Sequence, residues 1–146
     1  MSKRADALVL RIATPDEHDA LEALQRRASL ANEVDRRHLE AHPDAIHLPP
    51  AQLANGQVIV AELDGRVAGF AAVVGGELDG LFVEPELWRR GVGAALAEEA
   101  THVARRKGLT LTVIANPAAR EFYAKCGFAV EGAARTRFGP ALRMSR

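Results

Sequence analysis

The stretch from residue 78 to residue 114 constrains the fold more than any other part of this sequence. The largely apolar segments 78–83 and 109–114 each have the length of a strand. Between them, residues 92–107 carry Val92, Leu96, Ala100 and Val103 at helical spacing, and Gly108 ends the pattern. A strand, a long helix and a strand in succession are typical of a crossover between parallel strands.

The remaining segments add hairpins and shorter helices. Thr14, Pro15 and Glu17 form a helix start of the capping-box type, and Pro43 and the pair Pro49-Pro50 make the stretch between them irregular. The predicted elements are strand 7–12, helix 14–29, helix 32–42, strand 57–63, strand 66–74, helix 117–126 and a last strand from Phe128, paired with residues near Phe138 to Arg143. Hairpins combined with crossovers predict one α/β domain over residues 1–146, with a mixed central β-sheet flanked by helices.

Composition excludes several classes of protein. Lys plus Arg and Asp plus Glu both number 19, so no basic excess indicates nucleic-acid binding. Cys126 is the single cysteine, which rules out an internal disulfide. The sequence shows neither a signal-peptide h-region nor a run long enough to span a membrane, so we expect a cytoplasmic protein without nucleic-acid or membrane partners.

The turn between strand 78–83 and the long helix has the chemistry of an anion site. Its sequence is Arg89-Arg90-Gly91-Val92-Gly93-Ala94. The first N–H groups of a helix lack internal partners and carry partial positive charge. Gly91 and Gly93 let a phosphate approach the backbone, and the two arginines add full charge. We therefore predict that this turn binds a phosphate group.

Two common nucleotide motifs do not fit this turn. A P-loop requires Gly-Lys-Ser/Thr, which is absent. A dinucleotide fingerprint requires Gly or Ala at position 96, where Leu96 stands, and an acidic residue after the next strand, which ends in Ile114-Ala115-Asn116. A nucleotide-dependent enzyme of Rossmann type is therefore only a third alternative.

Two blocks resemble the GNAT superfamily of N-acetyltransferases. The stretch Leu81 to Leu96 resembles its acetyl-CoA motif, a Gln or Arg followed by two residues, Gly, one residue, then Gly or Ala; Gly91 and Gly93 match, and Trp88 departs from the first position. The stretch Asn116 to Phe128 resembles its closing motif, an Asn followed seven residues later by Tyr and then Gly-Phe. One helix and one strand separate the blocks, as in the family.

The resemblance implies a binding mode for acetyl-CoA as co-substrate. The pantetheine arm would pair with the backbone of Leu81, Phe82 and Val83, with the Val83 N–H as oxyanion donor. Asn116 would bind the pantetheine, and Tyr123, the only tyrosine, would lie near the sulfur as general acid. The residues expected to hold the pyrophosphate are Arg89, Arg90, Gly91, Val92, Gly93 and Ala94.

The general base and the acceptor are less defined by the sequence. Asp79 or Glu77 acting through water is the expected base, unless the amine arrives neutral. The acceptor is expected to be a small-molecule or peptide amine that attacks directly in a ternary complex, without a metal. A non-catalytic acyl-CoA-binding or sensing module is the alternative function, and a homodimer is left open.

Several further residues have two interpretations each. His38, His42, Asp44 and His47 either line the substrate entrance or belong to a solvated loop. Trp88 either packs or contacts ligand. Cys126 fits a small buried hydrophobe better than a nucleophile.

Overall fold

The computed structural model of the chain describes residues 7–136 and 139–146, without the side chain of Val34. Phe138 and residues 1–6 lie outside this range, so the predicted pairing at Phe138 and the expectation for the N-terminus remain predictions. The described strands are β1 Leu8–Ile12, β2 Val58–Leu63, β3 Arg66–Val74, β4 Glu77–Val83, β5 Thr112–Ala115, β6 Ala129–Thr136 and β7 Gly139–Ser145. The described helices are α1 His18–Ala31, α2 Glu33–Ala41, α3 Pro50–Ala54, α4 Val92–Arg106 and α5 Arg120–Lys125.

The described strands form one mixed sheet in the order β1-β2-β3-β4-β5-β7-β6. Among them, the β4–β5 pair alone is parallel, and α4 makes the crossover between its two strands. The sheet is flanked by helices, so the predicted α/β class with a mixed central sheet is confirmed.

Each face of the sheet has its own apolar core. In β2, Ile59 and Ala61 pack with the cluster around Leu96 of α4, whereas Val58 and Val60 pack with the cluster around Leu21 of α1. Alternation along a strand sends successive side chains to opposite faces. The sheet therefore lies between α4 and α5 on one side and α1 and α3 on the other.

Most predicted elements form, with shifted ends. The capping box at Thr14 and Glu17 is present, but it opens a 3-10 turn at Pro15–Glu17, and α1 starts only at His18. The strand predicted at 109–114 begins at Thr112, because the Leu109 N–H still bonds the Ala104 carbonyl at the end of α4. Helix α3, at Pro50–Ala54, begins where the stretch predicted to be irregular ends, and Pro50 occupies its first turn.

Strands β4 and β5 separate soon after they begin. Their ladder has the single pair Glu77–Thr112. Further along β4 the backbone is bulged, since Ala72 pairs with Gly80 and Val73 pairs with Leu78, which leaves Asp79 as the extra residue. The remainder of β4 borders an open gap in the sheet.

No described helix is long and apolar enough to cross a membrane.

Candidate acyl-transfer site

The free edge of β4 faces the gap. The Glu84 N–H bonds the Ala68 carbonyl of β3, so alternation along an antiparallel pair turns the polar groups of Phe82 toward β3 as well. The N–H and C=O groups of Leu81 and Val83 consequently point away from β3, toward the gap. An extended ligand can pair with such an edge as an added strand.

The residues around the gap enclose two cavities, which share part of their lining. One has a volume of about 630 Å³ and is bounded by the end of β4, the turn before α4, and α5. We call it the turn cavity. The other, of about 650 Å³, is bounded by α2, β4, β5 and the β6–β7 hairpin, and we call it the strand cavity. The residues that line both are Ser29, Asp35, Leu81, Phe82, Ala119 and Tyr123.

Two glycines shape the turn before α4 for different reasons. Gly91 caps the helix with φ of 83°, a conformation that disfavours other residues. A Cβ on Gly93 would lie 3.1 Å from the Phe122 ring, so Gly93 provides space where α4, α5 and β4 converge. The first N–H groups of α4 are thereby exposed to the turn cavity.

Arg89 adopts an unusual backbone conformation in this turn. Its φ is 65°, in the left-handed region, which costs a non-glycine residue about 1 kcal/mol. The side chain is exposed and borders the turn cavity. Arg90 is not among the residues that line either cavity.

The Trp88 indole contacts the end of β4. Its Nε1–H donates a 2.9 Å hydrogen bond to the Val83 carbonyl, and the residue is 44% exposed beside the turn cavity. Trp88 therefore packs on the end of β4, and its contact with a ligand stays a prediction.

Tyr123 lies at the junction of the two cavities. It is 8% exposed, with Phe122 and Phe128 packed edge-on at centroid distances of 5.0 and 5.3 Å. Burial raises the pKa of Tyr123 to about 12, because the phenolate would lose its hydration. The phenol is therefore neutral and a hydrogen-bond donor at physiological pH. Burial also raises the pKa of the neighbouring Cys126 thiol, which disfavours the nucleophilic thiolate.

The structure places the other predicted residues in two different cavities. Leu81, Phe82, Val83, Val92 and Ala94 border the turn cavity, together with Arg89 and both glycines. Asn116 borders the strand cavity, where its Oδ1 accepts a 2.8 Å hydrogen bond from the Ala118 N–H and caps the short turn before α5.

The two candidate bases lie in different places. Asp79 borders the strand cavity and accepts a 2.9 Å hydrogen bond from Gln52 Nε2 of α3. Glu77 stands at the start of β4, opposite Thr112, and does not line either cavity. Of the four entrance candidates, only His38 lines either of these two cavities.

Sequence reasoning missed the residues at the start of α2. The Asn32 side chain accepts a 3.1 Å hydrogen bond from the Asp35 N–H and caps α2. Asn32 and Asp35 both border the turn cavity, and burial raises the pKa of the Asp35 carboxyl. The available signal was Asn32 as a helix cap, with Asp35 three residues later in the first turn.

Comparison with known proteins defines the class. The model of the Acetyltransferase (GNAT) family matches residues 20–128, so the chain belongs to this family. The family is one of acetyltransferases.

Individual relatives agree with this assignment. The uncharacterised N-acetyltransferase YafP of Escherichia coli (strain K12) is 36% identical over 77 residues. The match covers 53% of this chain and about half, 49%, of YafP. A GCN5-related N-acetyltransferase from Rhodopseudomonas palustris superposes with a TM-score of 0.75 at 26% identity, over 100% of this chain and 98% of that chain. YncA of Salmonella typhimurium, a putative acetyltransferase solved with its cofactor acetyl-CoA, shares the fold at a TM-score of 0.70 and 19% identity, over 96% and 93% of the two chains.

Proposed function

We propose that the chain works as one acetyltransferase domain that moves the acetyl group of acetyl-CoA to a primary amine by direct attack in a ternary complex. The observation that carries the proposal is the free β4 edge, which leads from a glycine turn to a buried phenol. YncA holds acetyl-CoA on the same fold, which supports the choice of donor.

The donor would lie in the turn cavity. The pyrophosphate sits on the N–H groups from Gly91 to Ala94, with Arg89 supplying charge. The pantetheine runs along β4 and pairs with the free backbone groups of Leu81, since the Val83 carbonyl is already bonded by Trp88, and Asn116 bonds it from the β5 side of the gap. The sequence also assigned a phosphate contact to Arg90, which on this geometry would contribute mainly long-range charge.

The acetyl carbonyl would point at the Val83 N–H. As the amine attacks, negative charge develops on the carbonyl oxygen, and a fixed N–H donor stabilises it. The Trp88 bond to the Val83 carbonyl restrains the following peptide and so helps keep the end of β4 in place.

Tyr123 would act on the departing sulfur. A phenol with a pKa of about 12 is a weaker acid than a thiol with a pKa of about 8.5, so transfer to a free thiolate is uphill by roughly 5 kcal/mol. Tyr123 therefore acts while the C–S bond breaks, by donating a hydrogen bond to the developing charge. A hydrogen bond to a charged group contributes roughly 1.5–3 kcal/mol.

The sequence leaves two possibilities for the proton of the acceptor amine. Either Asp79 or Glu77 removes it through water, or the amine binds in its neutral form and needs no base. The placement of Asp79 beside the strand cavity favours it over Glu77.

The first test replaces Tyr123 by Phe. The change keeps the ring contacts with Phe122 and Phe128, so we expect unchanged thermal stability and an unchanged Kd for CoA. We expect kcat to fall about 100-fold, corresponding to the lost hydrogen bond. This kcat is measured as acetyl-CoA-dependent thiol release with a panel of amines. Full kcat in the variant with a reactive amine would exclude Tyr123 as the acid.

The same panel tests the alternative of a non-catalytic acyl-CoA-binding module. That alternative predicts binding of acetyl-CoA without thiol release for any amine, whereas the proposed function predicts turnover with at least one of them.

A further inference from the structure

The acidic group at the junction of the two cavities is Asp35, on the first turn of α2. It borders the turn cavity and the strand cavity together with Tyr123, Leu81 and Phe82. A group that reaches both spaces lies where the donor and the acceptor must meet. Asp79 borders only the strand cavity.

The position of Asp35 is fixed by its own helix. Its N–H is held by Asn32 Oδ1, and Ser29 at the end of α1 borders the same two spaces. Asp35 is half-buried. Burial raises the pKa of this carboxyl and makes it a stronger base than in water, although the charge of His38 opposes the shift. A half-buried carboxylate attracts a cation.

The charged residues that line the two cavities also favour a cationic acceptor. Among the described residues that line the strand cavity there are two carboxylates, those of Asp35 and Asp79, and neither Lys nor Arg. The cations Arg89 and Lys125 border the turn cavity, where the donor phosphates are proposed to bind. The titratable groups that share the cleft with Asp35 are His38, Asp79, Arg89, Tyr123, Lys125 and Cys126.

We propose that Asp35 binds the acceptor as an alkylammonium ion and takes the proton that must leave before the nitrogen attacks. This rests on the proposed function. One proton passes from the ammonium to Asp35, and the free amine forms a C–N bond at the thioester carbonyl. The C–S bond then breaks while Tyr123 donates a hydrogen bond to the sulfur, and coenzyme A leaves as a thiolate that takes a proton from solvent. The nitrogen loses its second proton to solvent, and the Asp35 proton is also released to solvent.

The experiment compares Asp35→Asn with wild type in the pH dependence of kcat/KM, with butylamine as acceptor. Wild type is expected to change little between about pH 7 and 9, because carboxylate and ammonium are both the reactive forms there. The variant must use amine that is already neutral, a fraction that rises about tenfold per pH unit below a pKa of about 10.4. We therefore expect kcat/KM of Asp35→Asn to be at least about 100-fold below that of wild type near neutral pH. This difference should shrink about tenfold for each pH unit above that.

Two further variants make the result specific. Glu33→Gln removes a carboxylate from the first turn of the same helix, where Glu33 pairs with Arg37 outside both cavities, and should keep the wild-type profile. Asp79→Asn tests the other carboxylate of the strand cavity. A deficit in Asp35→Asn that stays constant with pH, or a pH-dependent deficit that appears in Asp79→Asn instead, overturns the assignment.

Binding separates this inference from the proposed function. If wild type binds CoA but turns over no amine, the proposed function fails. Butylamine should nevertheless stabilise the CoA complex of wild type against heat more than that of Asp35→Asn. Equal stabilisation of the two complexes overturns the role of Asp35 independently of turnover.

Discussion

The pKa values of single residues around the two cavities differ from those in water. Tyr123 is the clearest case, because its phenol is enclosed by Phe122 and Phe128 and its pKa rises to about 12. The folded state therefore keeps the phenol proton at a pH where the unfolded chain, with a pKa near 10.0, has lost it. The stability that results is fully present below pH 10 and is lost as the pH rises toward 12.

Alkaline titration measures this effect without ambiguity, since Tyr123 is the single tyrosine. We expect the ultraviolet absorbance of the phenolate to appear with a midpoint near 12 in the folded protein. Relative to Tyr123→Phe, wild type should lose roughly 2–3 kcal/mol of unfolding free energy between about pH 9 and 12. A midpoint near 10, or parallel pH curves for the two proteins, would show that the phenol is solvated.

The sequence predicts residues well where local chemistry decides. Gly91 and Gly93 shape the turn, as their residue types indicate. Asp35 escapes prediction, because α2 and β4 are distant in the sequence and only packing brings them to one cleft. The Trp88 bond to the Val83 carbonyl is equally invisible, since a tryptophan pattern gives no direction for its N–H.

At the scale of elements, β4 is the strand that borders both cavities of the candidate site. Its N-terminal end pairs with both neighbours, whereas the segment after the bulge pairs only with β3. Hydrophobic periodicity predicts α4 and β4 because their patterns are local. It predicts neither the bulge at Asp79 nor the early separation from β5, because both depend on register with other strands.

The close approach of β3 to β4 gives a prediction at this scale. A Cβ on Gly69 would lie 2.6 Å from the Phe82 carbonyl oxygen and 3.2 Å from Leu96 Cδ1. The carbonyl belongs to the backbone and cannot move without disturbing the β3–β4 ladder. Gly69→Ala should therefore lower the unfolding free energy by about 2–3 kcal/mol, measured by chemical denaturation.

Gly132→Ala is the matched control for this change. Gly132 is also a strand glycine, but a Cβ added there would meet no described atom within 4 Å. Its substitution should change stability by less than about 0.5 kcal/mol. Similar losses in the two variants would mean that contact with Phe82 does not limit position 69.

At the scale of the molecule, the two cores hold the helices on both faces of the sheet and leave the gap between β4 and β5 open. The order of elements predicts a mixed sheet because short hairpins and one long crossover permit few arrangements. The two motif blocks predict the family. The shape of the strand cavity depends on α2 and the β6–β7 hairpin meeting across the gap, and no local pattern specifies that meeting.

The central claim is that the turn from Arg89 to Ala94 and the free edge of β4 bind coenzyme A. Trp88 is the single tryptophan and borders this space, so a fluorescence titration with CoA reports directly on the site. We predict a saturable change with CoA, no change with NAD at the same concentration, and a Kd raised about tenfold in Arg89→Ala, which removes one charged phosphate contact. An unchanged signal with CoA, or an equal response to NAD, would contradict the claim.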